Sequence, residues 1–350
     1  MRRSSRTRQW VDALRCHLLL RRNGVAVGEG ASRDVVPVAP GPGALRQVAL
    51  GRQRLETGRD ERALAHFAAA YDRDPSAALL DWGLWPGPGA LEERMLERSA
   101  QWRAAPADTP AGRLSALRTK AHIHRWLQDE GVPVPPRLAT APNIGALDFA
   151  ALPARYIIKP VDASSSRGVF RVDGDEIRTL ASWRRLRGGS VAERIRRRYE
   201  EIGLSGQEVI VEQAMRDVTD PALEIPRDVK IFAVRGQVCF VQMLDRNGKK
   251  ARRGLATLTR DWALLPQSSS WPPLAPGPKP AGFDEAVALT ERLSRKVPLL
   301  VRWDFFLTPD GPVLCEVTKY PNAGKSFRPW MERAVYQLVA LDALAPGTSG

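Results

Sequence analysis

The stretch VRWDFFLTPDGPVLCEVT at residues 301–318 constrains this chain more than any other. Pro309-Asp310-Gly311 is turn chemistry between two runs of strand composition, so the stretch predicts a β-hairpin. Strand side chains alternate between faces. Arg302 and Asp304 therefore share one face, and Glu316 and Thr318 share a face of the returning strand. The two carboxylates meet across the hairpin. Two acids and an arginine on an otherwise apolar strand pair are expensive to bury unless something binds them. Mg²⁺ answers that need, because it takes oxygen ligands from one or two carboxylates and leaves its other positions to phosphates and water. An unliganded salt-bridge network of the same residues is the alternative reading.

A second segment points the same way. Ile157-Ile158-Lys159-Pro160 reads as a strand ending in a lysine. A small polar loop follows, Asp162-Ala163-Ser164-Ser165-Ser166-Arg167-Gly168, and then another strand. Small residues let backbone N–H groups approach anionic oxygens, serine hydroxyls add donors, and the lysine adds a point charge. The segment is not a Walker loop: it has no G-K-[ST] and no helix directly after it. Alone it reads as a surface hairpin with an exposed lysine, and the hairpin of Asp304 and Glu316 turns that reading toward phosphate.

From residue 155 onward the chain is a series of short β-rich runs, RYIIKPV, GVFRV, QEVIVEQAM, DVKIFAV, QVCFVQML, LLVRWDFFL and PVLCEV. Helical runs interrupt them at 191–203, 283–295 and 328–342. Only Arg235-Gly236 separates two of the strands, so the sheet is largely antiparallel and the fold class is α+β. Ahead of this lie amphipathic helices, LEERMLERSAQWRAA after the WPGPG break and RLSALRTKAHIHRWLQDEG after ADTPAG. Leu50-Gly51, Ala63, Phe67, Ala70 and Pro75 fit a 34-residue tetratricopeptide-like pattern over 44–77, without its aromatics near Gln47 and Arg54. A single such hairpin cannot bury its apolar face alone, so it is expected to pack on neighbouring helices or the main domain, with partner docking as its functional reading. The domain reading is a basic arm and linker over 1–43, a helical region over 44–110 and the α+β domain over 111–342.

Composition excludes several classes. Three dispersed cysteines rule out a disulfide scaffold or a cysteine zinc site, and no run approaches the length of a membrane span. The chain thus reads as soluble and cytoplasmic. The net charge of +14 is concentrated at the start, where residues 1–22 hold seven arginines and one acid, Asp12. Such an arm suits membrane surface or nucleic acid, but no nucleic-acid module accompanies it, and the favoured reading is a frayed basic tail. His122 and His124 point to different helix faces and do not form a joint metal site. Cys315 is expected in the core, facing away from the metal. The 319–326 segment KYPNAGKS follows the metal strand, so Asn322, Gly324, Lys325 and Ser326 are candidates to line an acceptor pocket. Arg194, Arg196, Arg197 and Arg198 are expected to form a solvated charged face, with an anionic polymer as the functional alternative. The 272–280 run PPLAPGPKP reads as a stiff surface loop.

Taken in order, Lys120, IIKP with its serine loop, VIVEQ, RDVKIF, VRWDFF, LCEVT and PNAGKS resemble the ATP-grasp superfamily, and most closely its TupA-like branch linked to teichuronopeptide and other cell-envelope polymer synthesis. The resemblance covers roughly 113–342, and its specificity lies in the ordered set. It implies two α+β subdomains sandwiching ATP. It implies that Lys120 and Lys159 hold the α and β phosphates, and that Ser164, Ser165, Ser166 and Gly168 form the lid. Val209 to Ala214 would be the hinge on adenine, with Val211, Glu212, Gln213 and Ala214 contributing mainly backbone groups. Asp228 would take the ribose hydroxyls. Lys230 would face phosphate or the acyl group, and Arg302 would steady the γ-phosphoryl. Asp304, Glu316 and Thr318 would hold Mg²⁺. Thr318 stands where many members carry asparagine, and the substrate-binding α/β domain that other ATP-grasp ligases carry at the N-terminus is replaced by helices.

The activity this implies is an ATP-dependent carboxylate-amine ligase that forms an amide through an acyl phosphate, in cell-envelope polysaccharide or related biosynthesis. Two other readings stand beside it: an ATP-grasp kinase acting on a sugar or other hydroxyl, and a nucleotide-binding scaffold working through the helical hairpin.

Overall fold

The computed structural model describes residues 40–345, apart from 118, 164–165 and 248–252. The basic arm, Ser164 and Ser165 lie outside the described residues. All strand pairings are antiparallel, as the short connections require. Between β6 (Asp228–Val234) and β7 (Gln237–Asp245) the turn residues Arg235 and Gly236 both have positive φ, the backbone of a primed two-residue hairpin turn.

The strands form two sheets. The first has five strands in the order β1 (Arg137–Ala141), β5 (Val209–Gln213), β2 (Arg155–Pro160), β3 (Phe170–Asp173) and β4 (Glu176–Thr179). Helix α6 (Val191–Glu201) covers it, its Ile195 and Tyr199 buried with Ile158, Phe170 and Val211. The second sheet has six strands, in the order β11 (Gly311–Thr318), β10 (Val301–Thr308), β6, β7, β8 (Gly254–Leu258) and β9 (Leu264–Leu265). Strands β1, β4, β8 and β9 are absent from the sequence reading. RLATA and EIRT are too short and polar to show alternation, and their extended form comes from neighbouring strands.

Period-2 alternation divides the six-stranded sheet. Val229, Ile231, Trp303 and Phe305 face one side, packed with α7 (Phe283–Lys296). The opposite face is apolar only over part of its length. Phe232, Val234 and Phe240 are covered by α8 (Pro329–Ala340) and by the N-terminal helices. Those helices are α1 (Pro42–Glu56), α2 (Asp60–Arg73) and α3 (Ala90–Ala104). Asp228, Lys230, Arg302 and Asp304 lie on that same face beyond the covered part, where the site forms.

The 44–77 span contains helices α1 and α2, packed on each other and on the sheet. The Tyr71 hydroxyl donates to the Gln237 carbonyl (2.8 Å), and the Trp82 N–H donates to Gln337 Oε1 (2.7 Å). Arg98 of α3 is buried, paired with Asp342 at 2.6 Å, and donates to the carbonyls of Leu300 and Lys319. A Cβ added at Gly51 would meet the Phe67 ring at 2.4 Å, and that ring is fully buried and stacked on Trp82. Gly51→Ala is therefore expected to lower stability by about 1–3 kcal/mol through overpacking, more than the helix propensity it gains. Thermal denaturation checks this, and an unchanged or raised Tm would show that Phe67 has room to move.

The run expected as one helix over 113–131 forms two, α4 (Pro110–Ala116) and α5 (Lys120–Asp129). The Thr119 hydroxyl accepts the His122 N–H and starts the second helix. This break sets Lys120 in the first turn of α5. His124 is buried against the Pro135 carbonyl while His122 is exposed, consistent with their opposite faces.

Candidate active site

Two sheets and the start of α5 converge on one pocket. Ile157 and Lys159 enter it from β2, Asp228 and Lys230 from β6, Asp304 and Phe306 from β10, and Glu316 from β11. Its floor is the hairpin that the sequence singles out. β10 and β11 pair with Asp304 opposite Glu316 and Arg302 opposite Thr318, and β6 places Lys230 opposite Asp304.

The Asp304 carboxylate accepts a bidentate pair from Arg302, 2.7 Å from Nε and 2.8 Å from Nη2, and a third bond from Lys230. Burial alone would raise the Asp304 pKa, but the cations of Arg302 and Lys230 outweigh it and hold the carboxyl below its ordinary range. Arg302 is buried too, which lowers its pKa, but the charge and hydrogen bonds of Asp304 together with the charges of Glu316 and Asp228 outweigh that burial, so its pKa moves up. Arg302 also donates to Thr318 Oγ1 (3.0 Å) and Asn322 Oδ1 (3.3 Å). Glu316, by contrast, is exposed to the pocket and has no hydrogen bond or ion pair among the described residues. Asp228 accepts from Arg246 on Oδ1 (2.7 Å), while its buried Oδ2 accepts no hydrogen bond among the described residues.

On the other wall Lys159 pairs with the buried Glu212 at 2.7 Å. The Glu212 side chain thus neutralises a lysine instead of leaving only its backbone at work. Lys120 donates to three carbonyls at the foot of the small polar loop, those of Pro160 (3.2 Å), Val161 (3.2 Å) and Ala163 (2.6 Å). Burial and then the Lys159 charge push the Lys120 pKa down, opposed by Glu316, Asp162 and Glu212. Above the loop, Arg246 joins Ser166 Oγ (3.2 Å) to Asp228. Gly168, expected in the lid, is packed: its φ is +73°, a Cβ would meet Leu204 at 2.8 Å, and its carbonyl accepts from Tyr199.

Most of the expected residues come together here, and four of the described ones, Gly168, Val211, Arg302 and Thr318, do not line the pocket. The Val211 side chain is fully buried in the core of the five-stranded sheet, because that strand is paired on both sides. The expected hinge contributes Glu212, Gln213 and Ala214, and continues into Met215. Thr318 and Arg302 lie behind Asp304, tied to each other. Cys315 departs from the expectation that it faces away. The ladder slips so that Phe305 pairs with Leu314 while Asp304 pairs with Glu316, and the extra residue, Cys315, joins Glu316 in lining the pocket. Burial raises its thiol pKa well above the ordinary value. Arg246 is the main residue that sequence reading missed, since the segment DRNG carries no signal beyond its loop composition. Of the acceptor candidates, Lys325 pairs with Glu92 of α3 (2.7 Å), and Gly324 is pressed against the backbone of Leu91 and Glu92.

Asp304 and Glu316 at one register position are a hard oxygen pair of the kind Mg²⁺ takes, and Asp228 Oδ2 lies 3.8 Å from the Lys230 ammonium without a hydrogen bond among the described residues. Thr318 Oγ1 already accepts from Arg302, which leaves it a weaker metal donor. Among the described residues no group of three or more His, Cys, Asp and Glu side chains is arranged to hold a metal by itself. A metal here would take its remaining ligands from phosphate and water.

The family model for TupA-like ATP-grasp proteins matches residues 99–333, and the chain belongs to that family. No match was found among curated proteins. Similar solved structures include D-alanyl-alanine synthetase A from Vibrio cholerae, at 15% identity and a TM-score of 0.38 over 64% of this chain and 61% of that one. The chain thus spans less than two thirds of that protein. D-alanine–D-alanine ligase from Bacillus anthracis complexed with ATP shows 12% identity and a TM-score of 0.40, covering 67% of this chain and 68% of its own. The ATP-grasp ligase PsnB, complexed with a phosphomimetic variant of its minimal precursor, Mg and ADP, shows 18% identity and a TM-score of 0.39 over 91% of this chain and 78% of its own. Among the described residues no helix is long and apolar enough to cross a membrane.

Proposed function

We propose that this pocket binds ATP and drives ligation of a carboxylate to an amine. The observation that carries the reading is the convergence of Lys120 and Lys159 from one side and Asp304, Glu316 and Lys230 from the other on a single cleft between two sheets. Lysines suit phosphate oxygens, and the carboxylates would suit a divalent metal that offsets phosphate charge. Mg²⁺, when bound to Asp304 and Glu316, would neutralise charge on the transferring phosphoryl group.

The chain's own residues do the rest. Lys120 and Lys159 hold phosphate oxygens, Asp228 Oδ2 accepts a ribose hydroxyl, and Glu212 to Met215 border the base. A substrate carboxylate oxygen attacks the γ-phosphorus and ADP leaves. The acyl phosphate then meets an amine nitrogen at its carbonyl carbon, phosphate departs, and the amine proton passes to phosphate or solvent. Lys230 and Arg302 oppose the negative charge that develops, Arg302 acting through Asp304 and by steadying Asn322 at the start of the acceptor loop. The substrates belong to acids and amines of a biosynthetic pathway, and cell-envelope polymer synthesis is the pathway we favour from the family.

The test is an incubation of the purified chain with ATP, Mg²⁺ and pooled amino acids, small acids and amino sugars. Substrate-dependent release of ADP and free phosphate in equal amounts is expected. ADP without free phosphate, with the phosphoryl group retained on an acceptor hydroxyl, would show a kinase.

Lys120 predicts a pH dependence. Its positive charge is present below its lowered pKa and lost as pH rises through it, before the ordinary lysine value of 10.5 is reached. ATP affinity is therefore expected to fall early on the alkaline side, and Lys120→Arg to move that fall to higher pH. Titrating ATP affinity against pH in both proteins checks this, and an identical alkaline limb would assign the change to another group.

A further inference from the structure

A second cavity, of about 330 Å³, lies between the loop that follows β4 and helix α6. Arg184, Arg185 and Arg187 line it from the loop, and Arg194, Arg197 and Arg198 from the helix, with Glu201 as its one carboxylate. The helical arginines alone read as a solvated face. The fold changes that reading by adding three more guanidinium groups from the loop opposite. Arg194 is buried, and its Nη1 donates to the carbonyls of Asp175 (2.8 Å) and Leu186 (3.3 Å). Arg197 donates to the carbonyls of Arg187 (2.9 Å) and Gly188 (3.2 Å). These bonds hold two cations in place, and of the two only Arg194 has a carboxylate within ion-pair distance among the described residues, Asp175 at 3.8 Å. Arg198 pairs with Glu201 at 2.8 Å, whereas Arg184, Arg185 and Arg187 are exposed and have no ion-pair partner among the described residues.

Six guanidinium groups line this cavity, and the carboxylates paired with them, Glu201 at Arg198 and Asp175 at Arg194, offset only part of their mutual repulsion, which a bound anion relieves. We propose that this cavity is a second ligand site, specific for a polyvalent oxyanion, a group carrying two or more carboxylate or phosphate charges. Guanidinium forks bind such oxygens in bidentate fashion, and Arg194 and Arg197 are held ready by the backbone to do so. The cavity volume fits one multiply charged group. The site is separate from the ATP pocket and stands whether or not that pocket ligates. The two are neighbours in sequence, however, since Leu180 lines the ATP pocket only a few residues before Arg184.

The test compares two variants of the full chain that lose equal charge. Arg184→Ala/Arg185→Ala/Arg187→Ala empties the loop side of the cavity, and Arg46→Ala/Arg59→Ala/Arg62→Ala removes three exposed arginines of the N-terminal helical region. Tripolyphosphate and citrate are titrated by calorimetry in the presence of saturating ADP and Mg²⁺, with circular dichroism confirming that both variants are folded. At least one probe is expected to bind about tenfold or more weakly to the cavity variant and within about twofold of the parent in the control. The tighter probe then identifies the ligand as phosphate-bearing or carboxylate-bearing. Equal weakening in both variants would mean that net charge alone attracts the anions, and unaltered binding in the cavity variant would mean that these arginines bind none. Either result overturns the proposal.

Discussion

Asp304→Asn is expected to lower ATP turnover by about 10²–10³-fold and, in the same protein, to cost about 3–5 kcal/mol of stability. Asparagine keeps the shape of the side chain and removes its charge. Arg302 and Lys230, whose side chains are only 9% and 12% exposed, then face each other with no anion between them. The loss of activity follows from the missing metal oxygen and from the displaced cations, and the loss of stability from the broken buried network. Because the Asp304 pKa is depressed, the stability it contributes is present above the ordinary aspartate range and is lost as pH falls through the lowered value. The destabilisation by Asp304→Asn should therefore shrink in acid. Urea denaturation at neutral and acid pH, beside steady-state ADP release, measures both effects. A variant as stable as the parent at neutral pH would mean that the three side chains do not depend on one another.

Glu316→Gln separates the two effects. Activity is again expected to fall by about 10²–10³-fold, whereas stability should stay within about 0.5 kcal/mol of the parent. The difference comes from exposure: Glu316 faces the pocket with no hydrogen bond or ion pair among the described residues and acts on Lys120 and Arg302 only at longer range. The defect should be partly relieved by raising Mg²⁺, as a weakened metal site would be. Turnover as a function of Mg²⁺ concentration, paired with thermal denaturation, checks it. Wild-type turnover in Glu316→Gln would remove this carboxylate from the chemistry.

The floor of the site was legible because its signals are local. Arg302, Asp304 and Glu316 sit on a hairpin whose turn is written in Pro309-Asp310-Gly311, so their placement on two neighbouring strands was legible, while it is the slip at Cys315 that sets Asp304 opposite Glu316. Lys159 and Lys120 were legible only through the order of motifs. What escaped depends on contacts between distant segments. Arg246 reaches Asp228 and Ser166 from just past the end of β7, in a segment that looks ordinary in sequence. The bulge that turns Cys315 into the pocket is a one-residue slip that strict alternation does not foresee. Glu212 was expected to matter through its backbone, and only the pairing of β2 with β5 brings its carboxylate to Lys159. The short polar strands β1 and β4 owe their form to partners far along the chain.

The N-terminal helices were legible as helices, and the hairpin packs on the main domain as a lone helical pair requires. Their apolar faces are spent on the six-stranded sheet, and α3 also contacts the 319–325 segment through Glu92, Leu91 and Arg98.

The central claim is that a carboxylate is activated by phosphoryl transfer from ATP and then captured by an amine. The most direct measurement uses a pool of carboxylate substrates labelled with ¹⁸O in the carboxyl group, incubated with ATP, Mg²⁺ and amines, and follows the label in the released phosphate by mass spectrometry. Attack of the carboxylate oxygen on the γ-phosphorus predicts one ¹⁸O in each phosphate released with amide product. Phosphate that leaves unlabelled while amide forms would contradict the account.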